Sequence, residues 1–256
     1  MSRASGSSRR RTQQQRAADR ETEAQIEEIK GFVTSLYEVA SQRPQEWEAY
    51  LPSARSTMSA LDRLRFFRNP DRFAEQIWII QGFQDYAFHD PDSGAIQTVA
   101  EWCQGAWLSV LRSYPENMEC LSGLGQNWHQ RAQATLARIH NEESSESSSG
   151  GSGPNAQASA RTESPLYVEA RGYLHPAVDF YHRAVTAADL RNVTTGDLLS
   201  SAAEAHMSMG SVSGSPADEQ YFVSAIHYLR RAQALPDYQI SAHLEQYLND
   251  YGRYVN

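Results

Sequence analysis

The side chains best suited to metal binding or covalent chemistry are eight histidines and two cysteines, Cys103 and Cys120. His89, His129, His140, His175, His182, His206, His227 and His243 form no HExxH pair, and neither cysteine stands at ligand spacing from a second cysteine or a histidine. His129 and His140 fall near one helical face, but a zinc site needs more donors than two, so they read as ordinary half-buried or surface histidines. Asp90-Pro91-Asp92-Ser93-Gly94 has the acidic opening of a calcium loop without its closing glutamate, and reads as a turn. Lys30 is the sole lysine and no glycine-rich loop precedes it, which removes the phosphate loop and leaves one residue of the usual Schiff-base type. Gly123-Leu124-Gly125 lies inside a helical pattern, where close helix packing explains it. No serine or cysteine sits in a nucleophile elbow. The Trp-, Phe- and Tyr-rich stretch 70–114 could line a small-ligand cavity, although aromatic residues at helical spacing ordinarily form core. The expectation is a protein that is not an enzyme, with no catalytic residue, metal or cofactor.

Charge narrows the partners. The formal net charge is −8, but residues 1–20 carry six Arg against Asp19 alone, a local +5, and the remainder carries −13. So acidic a body repels a phosphate backbone, which leaves the basic segment 3–20 as the one candidate contact for nucleic acid. That segment has no large apolar residue to offset ordering entropy, so 1–20 reads as a disordered Arg-rich tail. Arg9, Arg10 and Arg11 fit either a solvated basic tail or a nuclear-import patch. Two cysteines make no disulfide scaffold, no run of 18 apolar residues occurs, and the first residues lack a signal peptide's apolar stretch. The expectation is a soluble intracellular protein, cytoplasmic or nuclear, without a membrane partner, in which the sequon at Asn192 is a chance match.

Apolar residues recur every three or four positions from Glu21 onward, and no segment alternates at strand period. Ile26, Ile29, Phe32, Val33, Leu36 and Val39 mark a first helix closed by Pro44. Pro52 is read as separating Trp47 and Tyr50 from a second stripe at Met58, Leu61, Leu64, Phe66 and Phe67. Further helices are expected over about 70–88, 96–113, 116–140, 165–188, 197–209, 217–235 and 238–252. Residues 142–163, rich in Ser and Gly with no aliphatic residue larger than Ala, read as a disordered insertion. The fold class is all-α: antiparallel helix pairs stacked as a solenoid or bundle of about eight or nine helices, with 21–254 as the helical domain.

Two stretches share a pattern. Ala177, Val178, Phe180, Tyr181 and Ala184 repeat as Ala225, Ile226, Tyr228, Leu229 and Ala232, and Pro236 follows the second copy. Alanines seven apart lie on one helix face and admit a close neighbour, while the bulky pair between them fills the adjoining groove. This arrangement resembles the second helix of tetratricopeptide repeats. The resemblance implies a preceding first helix with a large apolar residue, a small-residue pair and an aromatic. Leu199, Ala202, Ala203 and His206 fit it, with His206 in the aromatic position and Ser211–Gln220 lengthening the turn. Leu121, Leu124, Gly125, Trp128 and Ala132 fit a further first helix, which makes 142–163 an insertion within one repeat. The likeness covers about 118–236, two degenerate repeats, with 238–252 as a capping helix.

The resemblance implies protein docking on the inner faces of the first helices. Those faces offer Ser200, Ser201, Glu204 and Ser208 on one helix and Gln126 and His129 on the one before. No cation is among them except what His129 would carry, so a clamp for an acidic C-terminus is not expected. The resulting reading is an adaptor or scaffold subunit docking another protein. Alternatives are a nuclear regulatory subunit using its Arg-rich tail for import or nucleic-acid contact, and a small-ligand-binding helical protein or enzyme accessory factor.

Overall fold

The computed structural model describes residues 4–147 and 162–255, which hold nine α-helices and no strand. In chain order these are α1 (Ala4–Gln42), α2 (Trp47–Arg63), α3 (Phe73–Ala87), α4 (Gln97–Ser113), α5 (Met118–Ser147), α6 (Pro165–Asp189), α7 (Gly196–Ser211), α8 (Ala217–Gln233) and α9 (Ala242–Tyr251). The fold is all-α. Within the span expected to be one helical domain, the helices group into two compact units, Met1–His89 and Asp90–Asn256. The boundary falls at the Pro/Gly-containing turn after α3.

In the first unit α1 packs mainly on α3. Ile26, Ile29, Val33, Leu36 and Val39 are buried along one stripe, as their three- and four-residue spacing requires. Gly82 lets α3 approach: a Cβ there would meet Val33 and the Tyr37 ring at 2.6 and 2.7 Å. The Tyr37 hydroxyl donates to the Trp78 carbonyl at 2.8 Å, and the Tyr86 hydroxyl to the Trp47 carbonyl at 2.7 Å. Burial pushes the Tyr86 hydroxyl up to about 12.

Two features of this unit depart from the sequence reading. Pro52 lies inside α2 rather than ahead of it. It is the sixth residue of α2, so its missing N–H removes one backbone bond, the one to the Glu48 carbonyl, close to the end where helical bonding begins. The segment expected to be a disordered tail belongs, from Ala4, to α1. Ala, Arg, Gln and Glu are good helix formers, so the helix propagates past its last packed residue. Its described side chains at 13, 14 and 16–20 are exposed, and Ile26 is the first buried one among those described.

The second unit is built of antiparallel neighbours. Gly123 of α5 faces the Trp107 ring of α4, and Asn127, fully buried, donates its amide to the Ala100 carbonyl at 3.1 Å. Gly125 sits against the Tyr181 ring of α6, where an added Cβ would come within 2.9 Å. Trp128 lies 6.3 Å from Tyr173, and Glu143 accepts a hydrogen bond from Tyr167 further along the same pair. The pairing runs 125 with 181 and 143 with 167, so α5 and α6 are antiparallel. By the same test α7 and α8 are antiparallel, with Gly210 against Phe222 and His206 5.2 Å from Tyr228.

The residues picked out for repeat packing lie at these seams. Leu121, Leu124, Ala177, Tyr181, Ala184, Leu199, Ala203, Ala225 and Ala232 are buried, while Trp128 and Tyr228 are half-buried. Of the expected insertion, Glu142–Ser147 instead prolongs α5, and residues 148–161 lie outside the described residues. Ser144 and Ser145 donate back to the carbonyls of His140 and Asn141, both at 2.8 Å, which keeps these serines compatible with the helix.

Candidate partner-docking surface

Helix α7 carries four of the six residues expected to meet a partner, and the fold engages each of them. Thr195 caps the helix, its hydroxyl accepting from the Leu198 amide at 3.3 Å. From that start Leu198, Leu199, Ala202 and Ala205 face the core, and the polar stripe is turned along the neighbouring helices.

Ser200 is a correction: it is 7% exposed, beneath Tyr238, whose hydroxyl donates to it at 3.0 Å. Gly196 makes room for the same ring, since a Cβ there would lie 2.0 Å from it. Ser201, half-buried, is hydrogen-bonded to Tyr181. Glu204 faces His243 of α9 at 3.3 Å. Ser208 lies 3.1 Å from the His129 imidazole of α5. His129 is hemmed in so closely that burial pulls its pKa down to about 4, and Gln133 approaches its Nε2 at 3.2 Å. Gln126 is half-buried on the same helix. The stripe thus ties α7 to α5, α6 and α9. Four hydroxyl and carboxylate groups already have protein partners, so a ligand reaching them must exchange one hydrogen bond for another.

A surface of a different kind lies on the other side of α8, and the sequence reading passed over it. Glu219, Phe222, Val223 and Ile226 recur at steps of three, one and three along α8 and form one side of a groove of about 520 Å³. Tyr247 and Tyr251 of α9, with Tyr254 and Val255 beyond it, form the other side. Ile226 is buried and Phe222, backed by Gly210, is half-buried, so these two make the floor.

Val223, Tyr251 and Tyr254 are exposed by 38%, 53% and 71%. They are half of the six large apolar residues exposed among the described residues, brought together in one place. The far wall is held in position. Leu244 and Leu248 anchor α9 in the core, and the Arg230 guanidinium donates to the carbonyls of Gly252 at 2.9 Å and Val255 at 2.6 Å. Tyr247 and Tyr251 pack ring to ring at 4.8 Å, and Arg253 covers the Tyr254 ring from one side at 4.8 Å.

The only signal in the sequence was the spacing of Tyr247, Tyr251 and Tyr254 at steps of four and three. That spacing describes a capping helix equally well, and only the opposing stripe of α8 turns it into a groove. Among the described residues no group of three or more His, Cys, Asp and Glu side chains is placed to hold a metal ion, and no helix is long and apolar enough to cross a membrane.

No protein-family model matches the chain, and no curated protein matches it. Among solved structures, the S. pombe nuclear import adaptor Nro1 is similar in fold, with a TM-score of 0.53 at 15% sequence identity. The superposition covers 90% of this chain and 64% of that one, so the chain spans less than two thirds of its neighbour and shares with it an all-α architecture.

Proposed function

We propose that this chain is a non-enzymatic adaptor, docking a segment of another protein on a tetratricopeptide-like helical surface. The observation that carries the reading is the open apolar groove between α8 and α9. An apolar concavity with three exposed large side chains is what a protein-docking site presents, and it is a liability for a chain that binds nothing. The glycine–aromatic seams of α5 with α6 and α7 with α8 support the repeat reading. The fold likeness to a protein named as a nuclear import adaptor points the same way. The test is purification of the full chain from its own cells under mild conditions, followed by reconstitution with each co-purified protein. A stoichiometric complex formed by purified components is expected. If no recovered protein rebinds in purified form, the adaptor reading fails.

A nuclear role is the second reading, motivated by Arg9, Arg10 and Arg11 together with that same neighbour. Replacing the three arginines with alanine is expected to shift a fluorescent fusion from nucleus to cytoplasm. An unchanged distribution removes the import signal from consideration.

A further inference from the structure

We infer that the α8–α9 groove takes a basic amphipathic helix of another protein, an assignment that rests on the adaptor reading and names the chemistry of its partner. The floor is apolar, so the bound segment must offer apolar side chains to Phe222 and Ile226. Residues 219–226 span about 10 Å of helix axis, the length of two turns, and their three- and four-residue spacing matches the ridges of a helix laid beside them.

Charge decides the rest. Glu219 is the one charged side chain lining the groove and makes no ion pair among the described residues. Asp250, between Tyr247 and Tyr251, is exposed on the same helix. The second unit as a whole carries 19 Asp and Glu against 10 Lys and Arg, a formal −9. An acidic helix would be repelled, whereas a Lys or Arg finds Glu219 and the faces of Tyr247 and Tyr251. Arg253 already covers the Tyr254 ring in this way, so that ring is taken and the incoming cation is left Glu219 and the rings of α9.

Two occupants from this chain itself do not fit. The Arg-rich segment 9–20 has the charge but no large apolar residue for the floor. A second copy would bring one unit of formal −9 against another, like charge against like.

The experiment titrates full-length protein against fluorescein-labelled synthetic helices and reads anisotropy at low and high salt. One probe is a Leu/Lys amphipathic helix, one its Leu/Glu counterpart, and one a Lys/Ser peptide of equal charge without an apolar face. The Leu/Lys helix is expected to bind at least about tenfold more tightly than either other probe, and to keep part of that affinity when salt screens the charges. Tyr251→Ala with Tyr254→Ala is expected to weaken it at least about tenfold, and Glu219→Lys to move the preference toward the Leu/Glu helix. All three positions are at the surface, and a circular dichroism melt confirms that the variants fold.

Equal binding of the Lys/Ser peptide, unchanged affinity in the tyrosine variant, or better binding of the Leu/Glu helix overturns the assignment. The partner recovered in the purification above separates the two readings. If it rebinds the tyrosine variant as well as wild type, the adaptor role stands and the groove is not its site.

Discussion

The polar stripe of α7 and the groove between α8 and α9 make opposite use of helical periodicity. On α7, Ser200, Ser201, Glu204 and Ser208 look like a free hydrophilic face, yet each meets a side chain from another helix or, for Ser200, from the α8–α9 connection. On α8, Glu219, Phe222, Val223 and Ile226 look like an ordinary core-facing stripe, yet they line an opening that no described element fills. In a stack of helix pairs most of each helix is covered by neighbours, so polarity does not identify the outside. What identifies a docking surface is an apolar stripe left uncovered, and polar groups at the seams fix the register of the helices that frame it.

The sharpest way to break this comparison is to damage the side of α7 that both surfaces depend on. Leu199 is 1% exposed, and Leu199→Ala is expected to cost about 2–5 kcal/mol in urea unfolding, with partner binding lost only as the fold is lost. A variant that stays stable but no longer binds would relocate the docking site to α7.

A pH titration probes the seam by itself. His129 has a folded pKa of about 4, below its ordinary value of 6.5, so between those values the unfolded chain binds a proton that the folded chain refuses. Stability is therefore flat above about pH 6.5 with respect to this group and falls as the pH drops through the window toward 4. His206, whose pKa burial also lowers, adds to the same trend. The melting temperature of His129→Gln is expected to decline less steeply over that range than that of wild type. Parallel curves would mean that His129 is more open to water than its packing implies.

Smaller effects sharpen the contrast. Ser208→Ala removes the hydroxyl beside His129 and is expected to cost about 0.5–1.5 kcal/mol while leaving partner affinity unchanged. Tyr251→Ala, in the groove, should do the reverse: stability within about 0.5 kcal/mol of wild type, read in the same unfolding assay, with the loss appearing in binding. If Ser208→Ala weakened the partner and Tyr251→Ala did not, the two surfaces would exchange roles.

Much of the helix layout was legible in advance because apolar spacing is a local property. The buried stripe from Ile26 to Val39 and the small residues Ala177, Ala184, Ala225 and Ala232 could be placed by counting along the chain. The partners of the polar residues could not. Ser208 meets His129 from 79 positions away and Ser200 meets Tyr238 from 38, and no local pattern encodes such distances. The N-terminal arginines show the converse. Their lack of apolar residues suggested disorder, whereas propensity carries α1 back to Ala4 once its packed half nucleates the helix.

By itself, then, the sequence determined an all-α chain with close-packed helices marked by small residues seven apart, because those features need only helical periodicity and side-chain size. Tertiary structure decided which faces are covered. Whether Tyr251 and Tyr254 meet solvent or core depends on where α9 settles beside α8. That position is set by Leu244, Leu248 and the hold of Arg230 on the carbonyls of Gly252 and Val255, contacts that exist only in the folded chain.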